Sequence, residues 1–150
     1  MSRRAIHWAI GGLLVIVAVG IGIWLSVNPP SAEAYPPPGA VDVGTAQTLI
    51  RDHAADDDFV ILDVRTPEEF GAAHVAPNGA RILNLDISTG NFLVRLEQLD
   101  RSDKYLVYCR TGNRSAVAVE RMEQLDFEWI YHMDRGIVAW QAAGLPIVAE

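Results

Sequence analysis

The chain predicts an α/β fold: a parallel sheet with helices on both faces, preceded by one N-terminal transmembrane helix. Three observations carry that expectation. The runs 59–64 and 105–108 are nearly continuous stretches of apolar, β-branched and aromatic residues, as strands covered on both faces require. They alternate with stretches of helical period, and strand–helix alternation builds a parallel sheet. Residues 9–27 are uncharged and almost wholly apolar, about 28 Å long as a helix at about 1.5 Å per residue, which approaches the thickness of a bilayer.

The N-terminal segment comes first. Trp8 and Trp24 flank the apolar run, where indole rings favour the membrane–water interface. Arg3 and Arg4 precede it and only Glu33 closely follows, so the positive-inside rule keeps residues 1–8 in the cytoplasm and sends the rest across. Ala32-Glu33-Ala34 fits a signal-peptidase site, yet the apolar run is longer than a signal peptide's usual core. A retained anchor at 9–27 is therefore preferred over cleavage after Ala34. Either way the domain is expected on the extracytoplasmic, periplasmic side. Asn28-Pro-Pro ends the helix, and Tyr35-Pro-Pro-Pro-Gly39 makes residues 28–40 a stiff, extended linker before a single domain at 41–148.

Charge narrows the partners. The chain has 12 basic and 19 acidic residues, and with Arg3, Arg4 and Glu33 set aside the remainder carries 10 and 18, a net of −8. An acidic domain is a poor match for nucleic acid. One cysteine excludes an internal disulfide, and no Cys/His cluster suggests a metal.

Within the domain, Thr45 is placed to cap a helix running to about Ala54, with Leu49, Ile50 and His53 on one face. Asp56-Asp57-Asp58 reads as a solvated loop. Residues 59–64 form a central strand, with Asp63 and Arg65 at its C-terminal end, where open α/β sheets place their ligand crevice. Asp63 is read as structural, paired with Arg65 or receiving backbone donors, and a catalytic role stays open. Thr66-Pro67-Glu68-Glu69 has the cap, the N1 proline and the capping-box glutamate of a helix start. A strand at 81–85, a helix at 92–99 and a strand at 104–108 follow. The helix after these carries Val117, Ala118, Arg121, Met122 and Leu125. A strand at 127–132 places Trp129 and Tyr131 in the core or at its rim. Asp134-Arg135-Gly136 is a turn, Trp140 packs the last helix, and Gly144-Leu-Pro146 ends it.

The chemistry concentrates at Cys109-Arg110-Thr111-Gly112-Asn113-Arg114-Ser115. A buried strand stops at a cysteine, Gly112 allows a sharp turn, and Ser115 suits the cap or first turn of the next helix. Such a turn aims successive backbone N–H groups at the sulfur. Amides gathered at a helix N-terminus hold anions and favour thiolate over thiol. Arg110 and Arg114 add positive charge on either side. Cys109 is the candidate nucleophile, and Arg110, Thr111, Gly112, Asn113, Arg114 and Ser115 are the candidate anion-binding residues, with Asp63 and Arg65 in support.

That loop resembles the active-site loop of single-domain rhodaneses, the thiosulfate sulfurtransferases. Three further pieces match in order: Ile61-Leu-Asp63-Val-Arg65-Thr-Pro-Glu-Glu-Phe70; His74-Val-Ala-Pro-Asn-Gly79-Ala80; and Gly136-Ile-Val-Ala-Trp140 with Gly144-Leu-Pro146-Ile-Val148. The resemblance implies a rhodanese-like sheet and transfer of a sulfane sulfur from thiosulfate or a similar anionic donor to a thiol or cyanide, through a Cys109 persulfide and with no cofactor. It also implies that His74 shapes a turn rather than acting as a base. Arg135 stands where the family usually has a second glycine, and is read as a surface residue. Phosphatases and arsenate reductases of the same fold use C-x5-R; here Cys109 and Arg114 enclose four residues, C-x4-R, which suits one sulfur atom. A membrane-tethered sulfur carrier or interaction module without turnover of its own is the alternative. Donor, acceptor, protein partner and oligomeric state are not legible.

Overall fold

A computed structural model describes residues 35–150. The expected membrane span at 9–27 lies outside the described residues, and among those described no helix is long and apolar enough to cross a membrane. In chain order the elements are β1 (Gly39–Val41), α1 (Val43–His53), β2 (Phe59–Asp63), α2 (Pro67–Ala72), β3 (His74–Val75), β4 (Arg81–Asn84), α3 (Phe92–Leu96), β5 (Lys104–Tyr108), α4 (Asn113–Gln124), β6 (Trp129–Met133), α5 (Gly136–Ala142) and β7 (Ile147–Val148).

Five strands make one parallel sheet in the order β1-β6-β5-β2-β4. Strand alternation sends successive side chains to opposite faces. Phe59, Ile61, Leu106, Tyr108, Tyr131 and Met133 meet α1 and α5 on one side. Val60, Leu62, Tyr105, Val107 and Ile130 meet α3 and α4 on the other, and Cys109 continues this second set. The apolar runs are unbroken because both faces are covered. After β2 the chain steps outward to β4; after β5 it steps the opposite way to β6. The order therefore reverses between β2 and β5, and a crevice opens at the C-terminal ends of those two strands.

Thr66 and Glu69 form the anticipated capping box, with Pro67 in the first turn. Several expectations shift. Asp42, not Thr45, caps α1, its Oδ1 accepting from Thr45 N at 2.7 Å, because a cap side chain reaches the amide two or three residues ahead. The helix expected at 92–99 ends at Leu96, and the strand expected from 127 begins at Trp129. The end of the expected linker is part of the domain: residues 39–41 pair in parallel with Tyr131–Met133. Tyr35 stacks on His53 at 3.7 Å between ring centroids and donates to Asp56 Oδ2 at 2.9 Å, while Tyr131 donates to Pro36 O at 2.8 Å. A small antiparallel pair, β3 with β7, was not signalled by two-residue strands this short.

Candidate active site

Cys109 follows β5, the central strand, at the switch point of the sheet, and its side chain is 1 % exposed. The chain then turns through Arg110, Thr111 and Gly112 into α4. Gly112 has φ +100°, and a Cβ there would lie 1.6 Å from Asp134 O. Gly136 has φ +56°, and its Cβ would lie 2.3 Å from Cys109 O and 2.6 Å from Arg110 O. Both glycines are thus required by close backbone approach. Through Gly136 the start of α5 is pressed against the loop, and Ile137 N donates to Cys109 O at 2.9 Å and Val138 N to Arg110 O at 3.1 Å. These bonds turn the loop's carbonyls outward and leave its amides for the sulfur.

Gly112 N donates to Cys109 Sγ at 3.1 Å, and Ser115 Oγ lies 3.4 Å from the same atom. Burial alone pushes the Cys109 thiol up. The Ser115 hydroxyl and the amides of Ser115, Thr111 and Gly112 outweigh it, and the thiol is held below its ordinary value. Ser115 is 0 % exposed and stands in the first turn of α4; Gly112 occupies the cap position without a side-chain bond. Arg110, Thr111 and Asn113 turn their side chains to solvent, so their contribution to the cradle is made by backbone.

The two arginines differ. Arg114 is gripped by Glu69 of α2, with Nη1 to Oε2 at 2.6 Å and Nη2 to Oε1 at 2.7 Å. The Arg114 guanidinium pulls the Glu69 carboxyl down to about 2. Its charge is largely committed to positioning α4 against α2. Arg110 has no ion pair among the described residues and stands exposed at the rim.

Asp63 is fully buried and grips Arg65: Arg65 N and Nε donate to Oδ1 at 2.9 Å each, and Nη2 donates to Oδ2 at 2.5 Å. Arg65 Nη2 also donates to Ala73 O at 2.7 Å. Both side chains are satisfied within the scaffold, beside the cradle through the Asp63–Tyr108 register. His74 donates from Nδ1 to Phe70 O at 3.1 Å and stacks on the Phe70 ring, which is a turn-shaping role. Arg135 is exposed.

One neighbour of the site went unnoticed in the sequence. His132 of β6 has Nε2 2.9 Å from Ser115 Oγ and 3.2 Å from Gly112 O. The only local signal was a polar residue in an otherwise apolar strand.

The arrangement favours a thiolate at the end of the sheet, with the Gly112 amide and the Ser115 hydroxyl turned toward its sulfur. Comparison with known proteins agrees in kind. The family described as the rhodanese-like domain matches residues 45–143. The chain is 31% identical to the thiosulfate sulfurtransferase GlpE of Vibrio cholerae over 73% of this chain and 94% of that one. It is 29% identical to a sulfurtransferase of Allochromatium vinosum over 69% and 92% of the two chains. The crystal structure of a rhodanese-related protein from Thermoplasma volcanium superposes with a TM-score of 0.57 at 28% identity, covering 74% of this chain and 98% of that one. With the fold, the loop and these likenesses together, the chain belongs to the rhodanese-like domain family.

Proposed function

We propose that this protein moves a sulfane sulfur from thiosulfate or a similar anionic donor to a thiol or cyanide through a persulfide on Cys109. The observation that carries the reading is the Cys109 sulfur itself, with Gly112 N 3.1 Å away in a C-x4-R loop and its pKa held below the ordinary thiol value. The thiolate attacks the outer sulfur of the donor, the S–S bond of thiosulfate breaks with its electron pair, and sulfite leaves. The terminal sulfur on Cys109 then bears the negative charge, and the loop amides supply preorganised dipoles for it. Attack by a thiolate or by cyanide on that sulfur returns the Cys109 thiolate. No general base is invoked, because the lowered thiol pKa favours the thiolate as the nucleophile. Arg110, free at the rim, favours the approach of an anionic donor.

The test is direct. Incubation with thiosulfate should release sulfite and add one sulfur atom to the mass of the protein, and cyanide should then recover thiocyanate. Cys109→Ser should abolish both. Protein that gains no sulfur from any sulfane donor overturns the reading. A protein that gains sulfur only in the presence of a partner protein would instead be a carrier.

We also infer from residues 1–34 a retained membrane anchor with the domain on the extracytoplasmic side. The apolar run, its flanking tryptophans and the arginine pair support this. Mass spectrometry of the natively expressed chain tests it, since a mature protein beginning at Tyr35 would mean cleavage instead.

A further inference from the structure

Ser115 has one hydroxyl proton and two acceptors within reach. Its Oγ is 2.9 Å from Gly112 O and 3.4 Å from Cys109 Sγ. The carbonyl is nearer, and with these two alone the proton would settle there and leave the sulfur without its side-chain donor. His132 alters the competition. Its Nε2 faces both Ser115 Oγ, at 2.9 Å, and Gly112 O, at 3.2 Å. A carbonyl oxygen only accepts, so a ring nitrogen bonded to it carries the proton. Gly112 O already accepts from Ala116 N at 2.9 Å, so the His132 N–H takes its second lone pair as well as one on Ser115 Oγ, and the hydroxyl proton is left to point at sulfur.

We propose that His132 is a positioning residue for Cys109: by donating from Nε2 to Gly112 O and Ser115 Oγ, it turns the serine proton onto the sulfur and favours the thiolate. The proposal deepens the reading above by naming what favours the Cys109 thiolate that the reaction uses. His132 is half-buried on β6, on the same face of the sheet as Ile130 and α4. The charged groups about it are Asp134, just after its own strand, and Glu123 of α4 and Glu128, which line a groove with it. Burial holds the imidazole below its ordinary value, so near neutral pH the ring has one proton, and the geometry assigns it to Nε2.

The chain has a single cysteine, so the pH dependence of iodoacetamide alkylation of the full chain reads Cys109 alone. Ser115→Ala should raise the alkylation pKa by about one unit, about tenfold less thiolate below that pKa. His132→Asn, whose amide is too short to reach the Nε2 position, should raise it similarly. His132→Gln, which carries an N–H to that position, should titrate as the unaltered protein does. In the Ser115→Ala background, His132→Asn should add nothing. A role in packing alone would act in both backgrounds and would not be rescued by glutamine. The proposal is overturned if His132→Asn titrates normally, if it adds to Ser115→Ala, or if His132→Gln behaves like His132→Asn. Persulfide formation is measured in parallel. The expected titrations without any persulfide would overturn the sulfur-transfer reading and leave this one standing.

Discussion

A methyl group at position 112 would lie 1.6 Å from the carbonyl oxygen of Asp134, on a backbone with φ +100°. Two separate penalties follow, strain of an L-residue in the left-handed region and a backbone clash that no rotamer relieves. Gly112→Ala should therefore lower stability by about 2 kcal/mol or more in urea unfolding. It should also return the thiol toward ordinary acidity, because the Gly112 amide must move away from Sγ. A variant of unchanged stability and unchanged thiol acidity would contradict this account of the turn. At the same scale, Cys109, Gly112 and Ser115 were legible in the sequence, because a cysteine, a glycine and a cap-type residue around one turn have local meanings. His132 was not, since nothing within its own strand points to a serine 17 positions away.

Helices α2 and α4 are tied by one side chain. Glu69 returns to the Thr66 amide at 3.2 Å to complete the cap of α2, and grips Arg114 at the start of α4. The capping box was readable from Thr66-Pro67-Glu68-Glu69; the pairing with a residue 45 positions on was not. The pair has a pH signature. Glu69 has its folded-state value lowered from about 4.5 to about 2, so its contribution is fully present above about 4.5 and is lost as pH falls toward about 2. A third of the carboxylate side chain stays exposed, which limits the effect to about 1 kcal/mol. Glu69→Gln should accordingly be less stable than the unaltered protein at pH 7, and the difference should close across that acidic window. Denaturant titrations at pH 7 and pH 2 check it, and a difference as large at pH 2 as at pH 7 would mean that the charge is not what holds these helices together.

For the molecule as a whole, the boundary of the domain matters most. Tyr35 sits near Asp56 and beside Lys104, which pairs with Asp58, at the end of the sheet where β2 and β5 begin. The cradle occupies the opposite end, where those strands finish. Residues 35–41 add the edge strand β1, the Tyr35–His53 stack and the bond from Tyr131 to Pro36 O. A fragment spanning 42–150 should thus be less stable than one spanning 35–150, by about 2 kcal/mol or more from the loss of the aromatic contact area alone. Equal unfolding midpoints would restore these residues to the status of a linker.

What the sequence determined by itself was the succession of strands and helices and the chemistry of the cysteine loop. Burial on both faces of a strand, the capping of a helix and the turning of a glycine are written within a few neighbouring residues. What only the tertiary structure decided was which distant groups meet: the imidazole behind Ser115, the carboxylate on Arg114, and the Tyr131 hydroxyl on a carbonyl 95 positions away. Those meetings follow from strand order and from which helix lies on which face. They depend on packing the chain into two layers around the sheet, and no local pattern of residues contains that information.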